Sequence, residues 1–559
     1  MKKLRRKIFL GAAIFFVLMV LFLVIEHFRG KVSLAKYKKA LNAKGEKLSV
    51  HELTPQIPEG ANGAPVFLRA AGQLRDGNAI RYFLPPAMRV VAPGHAIVGH
   101  RQAEWVDEDY RTSRTSKIVT NNWAGLAQDL EKNQETLDAI RAALQQPILD
   151  ARLDYSRGFE FDVGYWMQTK STAQWLSAAT LNDLHNGDTQ KALENLQALS
   201  GLVRLHHNDP ILIGQLVRIA IASIEMSAAW EALQADGWTD SQWARLQHIL
   251  QTGDFIGDTA RALEMERAIG QTYYDRFRRS NHEAAEIARI QRTTFFPDED
   301  DEGKGLAAVA SKLPYGEEIF DFFSSNIGEP FVEFVYVPFW QFSWSYQDQR
   351  RHLENCQLLI ENARLGATTK SAAVMRTHEN AFKSLLTPAG PYDRCRFLFS
   401  PTSSSLSRAA SKAMRCETHR SLTMAAVALK RYRLRHGKAA SDLASLVPEF
   451  LPQVPIDLMD GQPLRYRLNA DGSFLLYSIG EDGKDDGGDP VRLSKGSKPS
   501  FWYGRDLVWP TPASPEEIAA FETEESKQAN VSSTNAMKFL EKMTGFKIAT
   551  NQPNPKSVK

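Results

Sequence analysis

The sequence predicts a mainly α-helical protein with a single N-terminal transmembrane helix, an irregular antiparallel α-helical body and a small α+β module near the C-terminus. Three observations predict it. Residues 8–25 form an unbroken apolar run. From Asn121 to Gln291, apolar side chains recur at three- and four-residue steps, which gathers them on one helical face. After Leu406 one long helical pattern gives way to short alternating runs and turns, the pattern of strands.

The apolar run reads IFLGAAIFFVLMVLFLVI, 18 residues without a charged side chain. As a helix it is about 27 Å long, close to the roughly 30 Å hydrocarbon core of a bilayer. Lys2, Lys3, Arg5, Arg6 and Lys7 precede it. A cationic flank stays in the cytoplasm and sends the other side outward. The lipid bilayer is therefore the expected partner of residues 8–25, in a single-pass inner-membrane arrangement with the N-terminus cytoplasmic and the body extracytoplasmic. A cleaved signal peptide has a shorter apolar region that ends in small residues. This run ends in Val24-Ile25-Glu26-His27-Phe28, so a retained anchor is expected. A pilin leader, cut after Gly11, would leave Phe16 where that leader has Glu, and is rejected.

The chain has 559 residues, more than one core of about 250–300 residues holds. The expected segments are the anchor (1–30), a membrane-proximal α+β segment (31–120), the helical body (121–400), the α+β module (401–510) and a short helix with a disordered tail (511–559). Lys plus Arg is 68 against 65 for Asp plus Glu, a net charge of +3. That balance gives no pull toward nucleic acid. Cys356, Cys395 and Cys416 contain no CxxC spacing, which disfavours zinc and thioredoxin-like chemistry. Either Cys395 and Cys416 bridge a loop to the next helix, or all three are buried thiols.

Within the body, Leu193, Leu196, Leu199 and Val203 mark one helix, and Leu216, Ile219, Ala220 and Ile224 the next. Asn186-Gly187-Asp188 supplies a helix stop and a cap. Asp209-Pro210 reads as a cap followed by Pro at the first helical position. Thr239 with Gln242 reads as a capping box. No 34-residue period is sustained, so an irregular bundle or solenoid is expected rather than a repeat array. Earlier, Met88–Val91 and Ala96–Val98 flank Pro93-Gly94 as a hairpin or strand pair. The acidic stretch 297–305 reads as a solvated linker. The aromatic stretch Phe331–Tyr346 admits three readings: buried core, membrane-interface contact or partner surface.

Toward the C-terminus, Tyr432-Arg433-Leu434-Arg435-His436-Gly437 ends the long helix. Leu443–Leu451, Val454–Asp457, Asp460–Tyr466, Asp471–Ser478 and Gly480–Asp489 follow in order. In sequence and spacing, residues 406–490 resemble the C-terminal module of type II secretion pseudopilins and related bacterial envelope proteins. Ala439-Ala440 stands where that family has Tyr-Pro, and Leu458 where Pro is common. The resemblance implies a helix packed on a small antiparallel sheet. It does not carry fibre assembly, because the leader is missing and a large body intervenes. The residues alone also read as a hairpin with one apolar face, Leu464, Tyr466 and Leu468 on one strand and Leu475, Tyr477 and Ile479 on the other.

The chain lacks G-x-S-x-G, H-E-x-x-H, a Walker A loop and a G-x-G-x-x-G that opens a helix, so no common catalytic signature is present. Neighbouring side chains on a helix diverge by about 100°, so His206 and His207 do not share a metal. Glu264 with Glu266, and Glu160 with Asp162, are expected to make structural salt bridges with Arg261, Arg267 or Arg218. The candidate metal ligands are Asp482, Asp485, Asp486 and Asp489, interleaved with Gly483, Gly487 and Gly488. Calcium takes six to eight oxygens, and glycines let a short loop fold around it; the pseudopilin resemblance also implies calcium there. The expected function is a non-enzymatic, membrane-anchored extracytoplasmic scaffold that binds other envelope proteins. The alternative is an envelope enzyme, a hydrolase, whose site lies in the helical body.

Overall fold

The structure, a computed structural model, describes residues 2–56, 59–74, 89–92, 95–102, 104–109, 117–158, 164–251, 253–290, 332–386, 391–400, 406–470, 472–489 and 505–509. Among these it is mainly helical with a small three-stranded antiparallel sheet. Glu160, Asp162, the acidic stretch 297–305, Phe331 and the tail from 511 onward lie outside the described residues.

Helix α1 spans Lys2–Ala43, 42 residues. Its first part exposes Phe9, Phe15, Val17, Leu21 and Ile25. Its second part buries Glu26, Gly30, Leu34 and Leu41, a stripe at helical spacing. Two described helices are long and apolar enough to cross a membrane. The apolar window of the first, in Phe9–Ala43, is 6% buried, and that of Leu212–Gln234 is 56% buried. The second is therefore a core helix, and α1 alone presents a bare apolar surface.

The body follows as α2 (Val50–Leu53), α3 (Ala64–Ala71), α4 (Trp123–Lys132), α5 (Gln134–Leu144), α6 (Gly164–His185), α7 (Thr189–Leu205), α8 (Leu212–Gln234), α9 (Asp240–Leu250), α10 (Phe255–Phe277) and α11 (Asn281–Ile290). A stretch of π- and α-helical turns, 332–344, leads into α12 (Ser345–Thr369), α13 (Ala372–Leu386), α14 (Pro391–Arg396) and α15 (Arg408–His436). Two hairpins lie between α3 and α4, β1 (Arg89–Ala92) with β2 (His95–Ile97) and β3 (Glu104–Asp109) with β4 (Lys117–Asn122). The first is the hairpin expected around Pro93-Gly94.

The helix boundaries follow local chemistry. Gly187 has φ +75 and stops the chain after α6, and the Asp188 side chain then accepts the Lys191 N–H to cap α7. Thr239 and Gln242 form the capping box of α9. The Asp209-Pro210 expectation is corrected: α8 begins at Leu212 with Ile211 as its cap residue. The Asp209 carboxylate accepts from Trp166 Nε1 at 3.1 Å and from the Ile211 N–H at 3.3 Å. A buried indole donor needs an acceptor, and the Asp209 carboxylate supplies it from beside the first turn of α8, where it lies against Gly214.

The C-terminal sheet has the order β5 (Arg465–Leu468), β6 (Phe474–Ser478), β7 (Leu507–Trp509). The turn closes with Asn469 N–H to Ser473 O at 2.8 Å, and Gly472 takes φ +81. Tyr466 pairs with Leu476, and Arg465 with Tyr477. Cross-strand partners share a face, so Tyr466 sits with Leu476 and Phe474, while Leu475 and Tyr477 lie on the other face. The single apolar face expected from alternation is thus replaced by a central strand, β6, whose residues Leu476, Tyr477 and Ser478 are all buried. Strand β7 supplies the second neighbour.

One continuous apolar core runs from Ala64 to Trp509 and includes Ala413, Leu422, Val427 and Ala428 of α15. Helix α15 packs on α8, α9 and α10 as well as on β6. A smaller cluster joins Tyr274, Phe277, Ala284, Val337, Trp340, Leu398 and Phe399. Within 332–344 the aromatic stretch is divided by face: Val337 and Trp340 are buried, whereas Phe334 is 71% and Phe342 49% exposed. The ring of Phe342 stacks on His27 of α1 at 5.1 Å. Cys356 and Cys416 are buried free thiols, so the alternative of a Cys395–Cys416 bridge is not realised. Burial pushes the Cys356 thiol up to about 12 and the Cys416 thiol up as well, which makes them poor nucleophiles.

Candidate functional site

The junction of α7, α8 and α10 brings several buried charges to the edge of a cleft. Helix α7 ends at Leu205, and the turn 206–209 presents two histidines in divergent directions. His206 is fully buried, with Nε2 at 3.1 Å from Thr169 Oγ1 and Nδ1 at 3.5 Å from Asp209. His207 is half-exposed, with Nδ1 at 2.8 Å from Asp258 Oδ2. The two rings therefore serve different carboxylates; they lie in the turn after the helix, so the turn rather than helical spacing sets their divergence.

Asp254 caps α10 by accepting the Gly257 N–H at 2.9 Å, which places Asp258 one turn inside the helix. Asp258 is 1% exposed. It also accepts from Arg218 and from Arg261. Burial raises the Asp258 carboxyl, but the His207 hydrogen bond and the charges of Arg218 and Arg261 outweigh it and hold the group below its usual range. Arg218, itself 1% exposed, donates from Nε to Val203 O and from Nη1 to Gln215 Oε1, both at 3.2 Å. Its guanidinium lies 4.3 Å from the centre of the Phe255 ring.

Beside this network lies a cleft of about 260 Å³ lined by residues 147–150, Val203, Arg204, His207, Asn208, Arg218 and Gly253. Gly253 has φ +110, and a Cβ there would collide with Arg218 Nη2. The absent side chain leaves room for that edge of the guanidinium beside the Gly253 backbone. Arg204 donates to Leu144 O at 2.7 Å, and burial lowers its pKa.

Two further carboxyls are buried nearby. Glu225 is pushed up to about 8 by burial, with weaker opposition from Ser200, Arg420 and Arg218. Glu266 is pushed up to about 7 by burial, against the Leu212 N–H that it accepts at 3.1 Å. The expected bridges of Glu264 and Glu266 are corrected. Glu264 pairs with Arg364 at 2.8 Å, Arg267 pairs with Glu46 at 3.0 Å, and Arg218 and Arg261 pair with Asp258. Helices pack residues that are distant in sequence, and those partners win. The sequence reading missed the His207–Asp258 pair for the same reason. The signal was present only as a His before a helix break and an Asp one turn after the Asp254 cap.

The candidate calcium loop is held by other means. Asp485 accepts from Arg465 Nε at 3.4 Å, Tyr477 OH at 3.0 Å and Gly487 N–H at 3.0 Å. Asp489 pairs with Arg505 at 3.1 Å, and Asp482 accepts the Lys484 N–H at 3.1 Å. Asp506, not singled out by sequence, accepts the N–H groups of Asp486, Gly488 and Asp489 at 3.4, 2.7 and 3.1 Å. Among the described residues no three His, Cys, Asp or Glu side chains converge as a metal site. As arranged, Asp482, Asp485, Asp486 and Asp489 do not fit one ion.

Comparison with family models, with curated proteins and with solved structures found no match.

Proposed function

We propose that this protein is a membrane-anchored scaffold of the bacterial cell envelope, with residues 8–25 spanning the inner membrane, the N-terminus in the cytoplasm and the body outside. The observation that carries the reading is α1, one helix with a bare apolar half and a docked polar half. Gln347 Nε2 donates to the buried Glu26 carboxylate at 2.7 Å, and Arg350 donates to Ser33. Just past the helix, Glu46 accepts from Arg267, Gln357 and Arg364. Burial raises the Glu46 carboxyl, yet these donors hold it down at about 2. An anchor fixed in this way sets the body at the bilayer surface. His27, Phe28, Phe342 and Tyr392 then lie where the helix leaves the apolar core, a depth that suits aromatic rings.

A reporter fused after Lys559 is expected to be active only outside the cytoplasm. Activity in the cytoplasm would overturn the orientation. Intact mass of the purified chain is expected to include residues 1–29, and loss of that segment would identify a cleaved signal instead.

The scaffold role is tested by crosslinking in cells and copurification from detergent-solubilised membranes. A stoichiometric envelope partner is the expected result. One observation favours a second reading, an envelope hydrolase: the His207–Asp258 pair opens onto a cleft, an arrangement suited to general-base work. A hydrolytic activity that disappears in His207→Asn, with no partner found, would transfer the assignment to that reading.

The pseudopilin-like identity of residues 406–490 and calcium in their acidic loop belong to the same proposal. Calcium binding requires Asp485 to release Arg465 and Asp489 to release Arg505, so that four carboxylates can turn inward. If it occurs, millimolar calcium raises the melting temperature of the full chain over chelator. Asp485→Asn with Asp486→Asn then removes the difference, and magnesium substitutes poorly. Equal melting with calcium and with chelator rejects it.

A further inference from the structure

The cleft between the α7–α8 turn and Gly253 has a composition that its structural role does not explain. Arg218 is 1% exposed and lines the cleft. Three of its contacts use Nε and Nη1, and its Nη2 has no acceptor among the described residues. A buried guanidinium with an unused N–H edge is costly unless something accepts from it. Arg204, on the same lining, has one carbonyl acceptor and no carboxylate partner among the described residues. Asn208 sits exposed at the same lining. Both arginines are donors, and the Asn208 amide can donate as well. Asp150 is the carboxylate on the lining, and its Oδ1 takes the Arg152 N–H at 2.7 Å.

We infer that this cleft binds a small phosphate-class oxyanion that carries a hydroxyl of its own, its oxygens accepting from Arg204, Arg218 Nη2 and Asn208 and its hydroxyl donating to Asp150. The two guanidiniums supply the charge, since planar N–H edges match oxyanion geometry. Asp150 then selects against an oxyanion without a proton. A lipid headgroup is not the source. Asp258 lies nineteen residues along α10 from Phe277, whose end of the helix comes near α1 through Arg278 on the Tyr346 ring, which in turn meets His27 of α1. That separation is about 28 Å along the helix axis, too far for a headgroup at the anchor. The exclusion of a headgroup rests on α1 as the membrane anchor; the binding of the oxyanion does not.

The test is thermal melting of the full chain in phospholipid-free detergent, titrated with inorganic phosphate and, separately, with sulfate at equal ionic strength. Binding to the folded state raises the melting temperature with a saturating dependence. Phosphate is expected to saturate, with an apparent Kd at least about tenfold tighter than that of sulfate. Asn208→Asp, an exposed substitution that disturbs no buried contact, is expected to weaken phosphate at least about tenfold by repulsion. Arg204→Ala is expected to do the same, with its phosphate-free melting temperature reporting any cost to folding. Asp150→Asn should bring phosphate and sulfate together. A phosphate response that is linear, or that is unchanged in both Asn208→Asp and Arg204→Ala, overturns the site. Equal affinities for phosphate and sulfate in the unaltered chain overturn the role of Asp150.

Discussion

Asp348→Ala is expected to lower the stability of the body by about 3–5 kcal/mol, the cost of breaking a fully buried charged network by removing one partner. Asp348 is 0% exposed. It accepts from the backbone N–H groups of Leu398, Phe399 and Ser400 at 2.7, 2.9 and 2.9 Å. It also accepts from Trp340 Nε1 at 3.2 Å and Tyr274 OH at 3.1 Å. This carboxylate thus ties α12 to α10, to the aromatic stretch and to the segment 398–400. Alanine leaves all five donors buried without an acceptor, and each such loss alone costs about 1–3 kcal/mol. Asn at this position restores one acceptor but aims its own N–H₂ at donors, so Asp348→Asn should recover little. Chemical denaturation followed by tryptophan fluorescence measures both variants. A loss below about 1 kcal/mol in Asp348→Ala would show that the network is not maintained in solution.

Glu225→Gln is expected to stabilise the protein at alkaline pH and to flatten its pH dependence. Burial pushes the Glu225 carboxyl from 4.5 up to about 8. Between those values the folded chain holds a proton that the unfolded chain has released. Stability therefore falls as pH rises through that window and levels off above it. The full difference, on the order of 3–5 kcal/mol, follows from about 1.4 kcal/mol per pKa unit. Gln has the same shape and cannot ionise, so the variant should match the unaltered protein near pH 4.5 and exceed it above pH 8. Glu266, raised to about 7, acts in the same direction and should leave a smaller slope in the variant. Melting curves from pH 4.5 to 8.5 read the effect, and identical slopes in both proteins would refute it.

How much could be read beforehand depends on the range of the interaction. The bare apolar run, the Gly187-Asp188 stop and cap, the Thr239 capping box and the Asn469–Gly472 turn were legible, because each depends on chemistry within a few residues. The face of the C-terminal hairpin was not. Alternation identifies strands but not their register, and register decides that Tyr466 meets Leu476 rather than Tyr477. Nor could the sequence show that α15 would be buried against α8, α9 and α10, since its apolar positions fit many partners.

The charges show the same division most sharply. By itself the sequence determined that the body is helical, where α6 ends and α9 begins, and which helix carries a bare apolar surface, since helix period and caps are properties of neighbouring residues. Tertiary structure alone decided that His207 meets Asp258, that Arg267 leaves its local carboxylates for Glu46, and that Asp348 and Asp506 each collect several backbone N–H groups. Once packing removes water, a buried ion or N–H must take whatever partner the fold brings within about 3 Å, however far away that partner lies in the chain.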